Sequence, residues 1–405
     1  MAAYDSYKDS GVKWLGKVPS HWEVKKLRST FFEVKELNSN RQTSNQLQFK
    51  FGTIISKPDC SVDTDVWTTI EKYTVVKPND IIINGLNLNF DLLSMRVGQV
   101  KDLGAITSAY VCLRPKNNIF SSYFLYLLKG MDARKVFHGF GSGIRATLSF
   151  KELKNKELAI PPQEEQEAIV AYLDNVTAKI DEAIEAQQKM IDALNERKQI
   201  IITRAVTKGL NPDAPLRDSG IDWLGQIPSH WDCCKLKFFI KIKSGEQVSN
   251  NKLSDNGKYL VYGGGEPIGY YNNYNVEPNT IIVGRVGARC GCITLTKNKS
   301  WATDNALIIS HNNIETDYLV FVLTAINLNK LAATNAQPLL TGSKVKNSYI
   351  SVPPKFEQIE ISKYIKFETS KIDDIISTCF DAINLLQERK QIIINEVVTG
   401  KKKII

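Results

Sequence analysis

One stretch of the sequence, residues 161–208, constrains the fold more than any other. It opens with two prolines and then contains neither proline nor glycine until Gly209. Its apolar residues follow each other mostly in steps of three and four, the spacing of a coiled-coil helix; they are Ile169, Leu173, Val176, Ile180, Met190, Leu194 and Ile201. At about 1.5 Å per residue this helix would be roughly 65–70 Å long. A helix of that length, polar on most faces, requires a partner helix.

The same chain supplies a second helix of this kind. A run that begins at Pro353 has apolar residues at a similar spacing, and they are Ile361, Ile365, Ile372, Ile375, Leu386 and Ile393. The ends of the two runs, residues 196–202 and 388–394, share the sequence Glu-Arg-Lys-Gln-Ile-Ile-Ile. We therefore expect the two helices to pair with each other.

The repeat extends to the segment that opens each half. Residues 9–22 and 218–231 agree at ten of fourteen positions and both end in Pro-Ser-His-Trp. Each half then continues with a globular region, a Pro-Pro-x-x-Glu-Gln entry and a long helix. The chain is therefore an internal duplication, and His21 and His230 are expected to anchor each domain against a helix together with the neighbouring tryptophans.

The globular regions alternate short β-like runs with turn residues, which predicts an α+β fold. In the first region we expect strands at 73–76, 80–85, 109–115 and 157–160, a helix at 121–129 capped by Ser121 or Ser122, and a helical turn at 151–154. The second region repeats this order, with strands at 280–284 and 306–309 and a helix at 317–326. The middles of the two regions differ in sequence, which suggests that the two halves recognise different targets.

The charge of the chain favours a polyanionic partner. The net charge is +9 and the pI is about 9.0. The first helix carries more acids than bases and the second is close to neutral, so the positive excess lies on the globular regions. No run approaches the roughly 20 apolar residues of a membrane span, and neither a signal peptide nor paired cysteine motifs are evident. We expect a cytoplasmic protein without a membrane.

Sequence motifs for catalysis and metal binding are missing. There is no phosphate-binding loop, dinucleotide-binding turn, nucleophile elbow or zinc-protease motif. Glu152 and Lys154 could form half of a nuclease motif, but the second half has Lys344 and Lys346 at the matching positions. We therefore expect no catalytic residue, no metal site and no cofactor on this chain.

The sharpest local feature is the glycine-rich loop 284–291, which carries Arg285 and Arg289. Glycines allow close approach to a ligand, and arginine side chains bind guanine edges or phosphates. The alternative is a tight turn whose arginines pair with surface acids.

A second set of candidates comes from the positions before the helix entries. Arg145 in the first half aligns with Gln337 in the second, and this exchange would change the preferred base from guanine to adenine. A flexible surface loop is the alternative. Further cations are expected to contact phosphates; they are Arg96, Lys101, Lys151, Lys154, Lys344 and Lys346.

The layout resembles the specificity (S) subunits of type I restriction–modification systems over nearly the whole chain. The resemblance rests on the duplicated openings, the duplicated Pro-Pro-x-x-Glu-Gln entries and the duplicated helix ends. It implies two globular α/β target recognition domains separated by two long helices packed as an antiparallel coiled coil, with pseudo-two-fold internal symmetry. The expected parts are a first domain at 1–160, a central helix at 161–210, a second domain at 211–352 and a distal helix at 353–405.

The resemblance also implies a function. Each domain would recognise one half of a split double-stranded DNA sequence, and the helices would set the spacing and dock two methyltransferase (M) subunits, which methylate adenine N6. Restriction (R) subunits would join the complex. S-adenosylmethionine, ATP and Mg²⁺ are expected on the partner subunits only.

Two other classes of function make different predictions. A coiled-coil scaffold that binds proteins only would select no DNA sequence, although the basic globular regions argue against it. A self-sufficient methyltransferase or nuclease would bind S-adenosylmethionine or cleave DNA as an isolated chain.

Overall fold

The computed structural model describes residues 3–50, 52–57, 64–89, 95–116, 119–141, 146–249, 252–332 and 338–404. The chain forms two compact units. Unit 1 consists of Met1–Gln187 together with Asp381–Ile405, and unit 2 consists of Gln188–Phe380. Unit 2 is one continuous segment, whereas unit 1 joins the beginning of the chain to its end. Each long helix therefore contributes residues to both units.

The described regions contain helices of very different lengths. The α-helices are α1 (Leu27–Thr30), α2 (Thr64–Ile70), α3 (Ser121–Ala133), α4 (Phe150–Leu153), α5 (Gln163–Lys208), α6 (Thr316–Ile326), α7 (Gly342–Lys346) and α8 (Lys355–Val398). Short 3₁₀ turns cover Asn38–Asn40, Val136–Gly139, Leu236–Phe238, Gly287–Arg289 and Leu328–Leu331. The helices α5 and α8 confirm the two predicted long helices.

The strands are short and mostly paired antiparallel. Those of unit 1 are β1 (Tyr7–Asp9), β2 (Lys17–Pro19), β3 (Glu23–Lys26), β4 (Phe31–Glu33), β5 (Leu47–Lys50), β6 (Thr53–Ser56), β7 (Thr74–Val76), β8 (Ile81–Ile83), β9 (Val97–Gln99), β10 (Gly104–Ile106), β11 (Val111–Pro115) and β12 (Glu157–Ile160). Those of unit 2 are β13 (Leu216–Asp218), β14 (Gln226–Pro228), β15 (Asp232–Lys235), β16 (Ile240–Ser244), β17 (Tyr259–Tyr262), β18 (Pro267–Tyr271), β19 (Ile281–Gly284), β20 (Ile293–Leu295), β21 (Ser300–Ala302), β22 (Ala306–His311) and β23 (Tyr349–Val352).

Each unit is built around a four-stranded antiparallel sheet. The strand order is β4-β11-β8-β9 in unit 1 and β16-β22-β19-β20 in unit 2. Alternate residues of a strand point to opposite faces. In unit 1, Ile81 and Ile83 join the core formed with α3 and the long helices, whereas Ile82 joins a smaller core on the other face. In unit 2, Ile281 and Ile282 divide between two cores in the same way.

The predicted strands are confirmed with small shifts in their ends, but the predicted cap of α3 is wrong. The N-cap residue is Phe120, whose side chain makes no capping bond. Ser121 is already the first helical residue, and its hydroxyl accepts a hydrogen bond from Gln99 Nε2 at 2.7 Å. The hydroxyl therefore joins α3 to β9 rather than capping the helix.

The long helices pair antiparallel within each unit. In unit 1 the beginning of α5, at Ile169, shares a core with the end of α8, at Val397. In unit 2 the end of α5, at Val206, shares a core with the beginning of α8, at Ile361. Two prolines precede each helix, and Gly209 and Gly400 follow the helices in the left-handed conformation at φ of 72° and 70°. The prolines mark where each helix begins, and the glycines mark where it ends.

Most of the predicted apolar seam is buried, but two of its residues were assigned wrongly. Met190 is 52% exposed and Ile375 is 48% exposed. Steps of three and four from Ile180 pass through Ile184 and reach Ile191 rather than Met190, and Ile191 is only 3% exposed. An α-helix has about 3.6 residues per turn, so a position one residue away from the seam turns toward solvent.

Two matching ion pairs join the helices. Lys390 Nζ lies 2.6 Å from both carboxylate oxygens of Asp181 in unit 1. Lys198 Nζ lies 2.6 and 2.8 Å from those of Asp373 in unit 2. The lysines come from the two Glu-Arg-Lys-Gln-Ile-Ile-Ile segments, so the repeated sequence gives repeated contacts.

We predict that these pairs contribute little to stability. Lys198→Ala or Lys390→Ala should lower the free energy of unfolding by about 0.2–1 kcal/mol, because the carboxylates are more than half exposed and screened by solvent. Urea unfolding at low and high salt measures this, and the effect should shrink at high salt. A loss above about 2 kcal/mol would contradict a weak surface pair.

Candidate nucleic-acid interface

A cluster of three side chains anchors each globular domain to the start of a long helix. We call it the anchor cluster; it comprises His21, Trp22 and Glu165 in unit 1, and His230, Trp231 and Glu357 in unit 2. Trp22 Nε1 donates to Glu165 Oε2 at 2.9 Å, and His21 Nε2 contacts Glu165 Oε1. This confirms the prediction that the histidine and tryptophan anchor the domain against a helix.

The anchor cluster of unit 2 has the same form. Trp231 Nε1 donates to Glu357 Oε2 at 2.8 Å, and His230 Nε2 lies 2.8 Å from Glu357 Oε1. The glutamine that follows each glutamate turns back to the chain, since Gln166 and Gln358 donate to the carbonyls of Pro161 and Pro353 at 2.9 Å. The Pro-Pro-x-x-Glu-Gln motif therefore fixes the entry of each helix, a role that the sequence did not reveal.

A buried tyrosine ties each domain to the end of the other long helix. Tyr123 OH donates to Ala159 O at 3.0 Å and lies 3.3 Å from Val398 O. Tyr318 OH lies 3.1 Å from Ser351 O and 3.4 Å from Val206 O. Burial raises the pKa of Tyr123 well above its usual value, so the hydroxyl stays a neutral donor. Each globular domain is thus held against both long helices, α5 and α8.

One end of the unit 2 sheet gathers several loops. We call it the loop edge; β16 ends there at Ser244, β19 ends there at Gly284 and β22 begins there at Ala306. A Cβ on Gly284 would lie 2.1 Å from Arg289 O and 2.3 Å from Gly264 O. Only glycine fits, because the backbones of two loops approach it so closely. The 284–291 loop is therefore part of a rigid junction.

Arg285 follows Gly284, and its backbone is fixed by two neighbouring loops. Its N–H donates to Asn305 O at 3.0 Å, and its carbonyl accepts from Leu340 N at 2.9 Å. Its half-buried side chain makes one long contact, 3.4 Å from Nη1 to Ser244 Oγ. Nε is buried and has no partner among the described residues. The guanidinium group is therefore held at the loop edge with unused donors.

Arg289 is more loosely held. Its guanidinium pairs with Glu266, and both side chains are more than half exposed. An exposed pair of this kind contributes about 0–1 kcal/mol, so a phosphate could replace the carboxylate at small cost. The alternative reading of the sequence, an arginine paired with a surface acid, therefore describes Arg289 but not Arg285.

The lysines of α7 lie beside the same loops. Lys344 is exposed, and its Nζ donates to Leu331 O at 2.8 Å. Lys346 is half-buried at the end of the helix. Gln337 lies outside the described residues, so its predicted contact with a base stays a prediction.

Unit 1 builds the equivalent edge from different residues. Leu148 N donates to Gly85 O at 2.9 Å, just as Leu340 N donates to Arg285 O. Gly85 thus occupies the position that Arg285 has in unit 2, and a Cβ there would lie 2.2 Å from Leu148 O. The shared scaffold therefore presents an arginine in one half and no side chain in the other.

Arg96 is misassigned as a phosphate contact. It is 1% exposed. Its Nη1 donates to Leu86 O at 2.8 Å and to Asn84 O at 3.1 Å, and its backbone N–H donates to Asp132 at 2.6 Å. Burial raises the pKa of Asp132. Arg96 instead holds the segment after β8 in place from inside the domain.

The other unit 1 candidates are divided between the two ends of the sheet. Lys151 is exposed on α4, and Lys154 is half-buried at the residue that follows this helix, near the Leu148 contact. Lys101 is exposed but follows β9, at the opposite end. Arg145 lies outside the described residues. Glu152 caps α4 by accepting from Ser149 N at 2.9 Å, and its hydrogen bond with the Ser149 side chain lowers its pKa. It therefore has a structural role in the helix.

A comparison with known protein families identifies the family of this chain. The type I restriction modification DNA specificity domain matches twice, at residues 19–191 and 228–384. The chain belongs to this family. Each match runs from the opening of one half into its long helix, so the duplication seen in the structure is a duplication of the family's domain.

Related specificity subunits match either nearly the whole chain or part of it. The type I restriction enzyme MjaVIII specificity subunit of Methanocaldococcus jannaschii is 24% identical over 98% of this chain and 97% of its own length. The EcoprrI specificity subunit of Escherichia coli is 28% identical over 35% of this chain and 38% of its own length. A chain from a structural study of type I R-M complex assembly and conformational transition is similar in fold, with a TM-score of 0.66 and 13% identity over 94% of this chain and 98% of that chain.

The relatives are named as specificity subunits of type I restriction enzymes, and specificity subunits are the non-catalytic members of these complexes. This chain has a DNA-recognition role in a type I restriction–modification complex. Within the described residues, no group of His, Cys, Asp and Glu could hold a metal ion. The described part of the chain also has no helix that is long and apolar enough to cross a membrane.

Sequence reasoning missed an aromatic surface on unit 2 of the specificity subunit. Strand β17 lies between β18 and β21 in a three-stranded sheet. The rings of Tyr271 and Trp301 are 5.1 Å apart, and those of Tyr259 and Tyr274 are 5.2 Å apart. Lys299 Nζ lies 4.0 Å from the Tyr274 ring. The signal in the sequence was the high density of tyrosines in 259–274, since nucleic-acid bases can stack on tyrosine rings.

Proposed function

We propose that each unit of the chain recognises one half of a bipartite DNA sequence, while α5 and α8 set the gap between the halves and dock two methyltransferase subunits. The observation that carries the proposal is that two equivalent anchor clusters hold domains whose loop edges differ. The same contacts hold both domains on the helices, yet Arg285 in one edge corresponds to Gly85 in the other. The equivalent attachment of the two domains to the helices suits two copies of one partner subunit, whereas the different side chains of the two loop edges suit two different half-sites.

The candidate DNA contacts remain proposals. Arg285 is the strongest, because its donors are unused and its backbone is fixed. Cations beside the loop edges are proposed to contact phosphates; they are the exposed Arg289, Lys344 and Lys151 and the half-buried Lys346 and Lys154. Lys101, Arg145 and Gln337 stay candidates from the sequence. The aromatic pairs of unit 2, with Lys299, are added to this surface.

The partners and cofactors follow from the same proposal. Methyltransferase subunits would bring S-adenosylmethionine, and restriction subunits would bring ATP and Mg²⁺ to the complex. The chain itself would hold DNA and the partner subunits, and it would act in the cytoplasm, where the DNA of the host lies.

The test is to sequence the methylated bases of a host that carries this chain together with its methyltransferase subunit. We expect methylated adenines in one split sequence with two unlike half-sites and a fixed gap. A complex that assembles but selects no sequence, from the genome or from a random DNA pool, would favour the protein-binding scaffold instead.

We predict that Arg285 and Arg289 differ in how they bind DNA. Arg285→Ala should reduce discrimination at one base position by about 1–3 kcal/mol, as loss of a base contact does. Arg289→Ala should weaken binding to all sequences alike. It should also reduce the slope of log binding constant against log salt concentration by about the amount that one phosphate contact contributes. The measurement is a binding titration of the partner-loaded complex at several salt concentrations.

The matched control for this titration is Lys237→Ala, since Lys237 lies before β16, at the end of the sheet away from the loop edge. Binding by this variant should equal that of the wild type. Unchanged binding by both arginine variants would remove the loop edge of unit 2 from the DNA interface.

A further inference from the structure

The niche beside the anchor cluster of unit 1 is filled by Tyr4. This side chain is 8% exposed, and its hydroxyl donates to Glu165 Oε2 at 2.9 Å. Its ring centroid lies 5.9 Å from that of Trp22 and 5.6 Å from that of His21. Glu165 Oε2 therefore accepts two hydrogen bonds, one from an indole and one from a phenol.

The corresponding niche of unit 2 is open. Trp14 and Trp22 correspond to Trp223 and Trp231 in the repeat, and the same spacing makes Asp213 the counterpart of Tyr4. Asp213 is exposed and does not line the niche. In its place there is a cavity of about 270 Å³, lined by residues that include Leu210, Pro228, His230, Phe356 and Glu357.

The carboxylate in this cavity has an unused acceptor position. Within the described residues, Glu357 Oε2 accepts one hydrogen bond, from Trp231. The side chain of Glu357 is 21% exposed, compared with 13% for Glu165, which Tyr4 covers. A hydroxyl donor that entered the cavity would complete the arrangement seen in unit 1.

The walls of the cavity suit an aromatic ring. Phe356 is 64% exposed at the mouth, where unit 1 has the charged Glu164 at the same repeat position. Water does not favour a phenyl ring that is exposed to this extent, and burial would gain about 25 cal/mol per Å² of apolar area covered. An apolar rim around a carboxylate acceptor matches an amphipathic phenol.

We propose that the cavity of unit 2 accepts a tyrosine side chain from a docked methyltransferase subunit, in the position that Tyr4 occupies in unit 1. This rests on the proposed function, in which methyltransferase subunits dock on α5 and α8. In unit 1 a tyrosine of the chain itself donates to the anchor glutamate, whereas in unit 2 a tyrosine of the partner subunit would donate to it. The two docking sites for the methyltransferase subunit are therefore unequal although the helices repeat.

The test offers the cavity a tyrosine from within the chain, at the position next to Ala214, which lines the cavity. Asp213→Tyr places a tyrosine at the repeat counterpart of Tyr4, within reach of the cavity, and Asp213→Ala removes the same charge without adding an aromatic ring. In a calorimetric titration of the full chain with the methyltransferase subunit, Asp213→Tyr should weaken the binding of one of the two subunits by about 10- to 100-fold, as expected for a buried tyrosine contact. Asp213→Ala should stay within about twofold of the wild type.

A second measurement does not depend on the variant folding well. p-Cresol, which has the chemistry of a tyrosine side chain, should show saturation transfer from the wild-type chain and shift the resonance of the Trp231 indole N–H. Absence of both signals at about 10 mM p-cresol, a concentration well above the dissociation constant expected for a ligand of this size, would overturn the proposal.

The outcomes separate the inference from the proposed function. Equal affinities of the wild type and Asp213→Tyr for the methyltransferase subunit would overturn the inference and leave the proposed function intact. A change only in self-association of the chain would also overturn it, since the occupant would then be a second copy. A wild-type chain that binds no methyltransferase subunit would overturn the proposed function and the inference with it.

Discussion

Insertion of four residues into both long helices, after Gln187 and after Phe380, is expected to widen the gap between the two DNA half-sites by about one to two base pairs. These positions are the boundaries between the two units. Four residues add about 6 Å of helix, and one base pair spans about 3.4 Å. Such an insertion is tolerated in a coiled coil, where it unwinds the pair locally. The half-site sequences should not change, because neither loop edge is altered.

The design keeps the contacts within each unit. The pairs Asp181–Lys390 and Lys198–Asp373 lie on opposite sides of the insertion points, so equal insertions leave both in register. An insertion in α5 alone is expected to shift one pair out of register and reduce assembly. The measurement is methylation of a DNA library in which the gap varies. A complex that is fully active with an unchanged gap would show that the helices do not set the spacing.

Sequence reasoning succeeded wherever the information was local or repeated. The long helices follow from an uninterrupted apolar spacing between prolines and glycines, and the strands around Ile82 and Ile282 follow from short β-branched runs. The anchoring role of His21 and His230 followed from their place in a repeated motif. Each of these features is specified by neighbours in the chain, so the sequence contains the needed information.

The rest depends on contacts between distant residues. Arg96 has the charge of a DNA contact, but backbone carbonyls and Asp132 enclose it once α3 packs on β9. The contact of Glu165 with Trp22 joins residues far apart in the chain. Met190 differs from Ile191 by one position, and only the packed helix pair decides which side chain is buried. Neither charge nor periodicity could show these outcomes.

Loss of the anchor carboxylate is expected to be the most destabilising single substitution considered for either unit. Glu165→Ala should lower the free energy of unfolding of unit 1 by about 2–4 kcal/mol, because the fully buried Trp22 loses its acceptor and Tyr4 loses its partner. Glu357→Ala should have a smaller effect on unit 2, since Glu357 accepts from Trp231 and His230 but from no tyrosine among the described residues. The two glutamates therefore allow a direct comparison of equivalent sites within one molecule.

The comparison of the two anchors gives this prediction its control. Tyr4→Phe keeps the ring and removes the hydroxyl, and it should account for about 1 kcal/mol of the difference between the two sites. Glu165→Gln keeps one acceptor and should fall between the wild type and Glu165→Ala. Urea unfolding followed by tryptophan fluorescence, with hydrogen exchange to assign each transition to a unit, measures all four variants. If Glu165→Ala unfolded within about 0.5 kcal/mol of the wild type, the anchor cluster would not hold the domain on α5, and the repeated Pro-Pro-x-x-Glu-Gln motif would need another explanation.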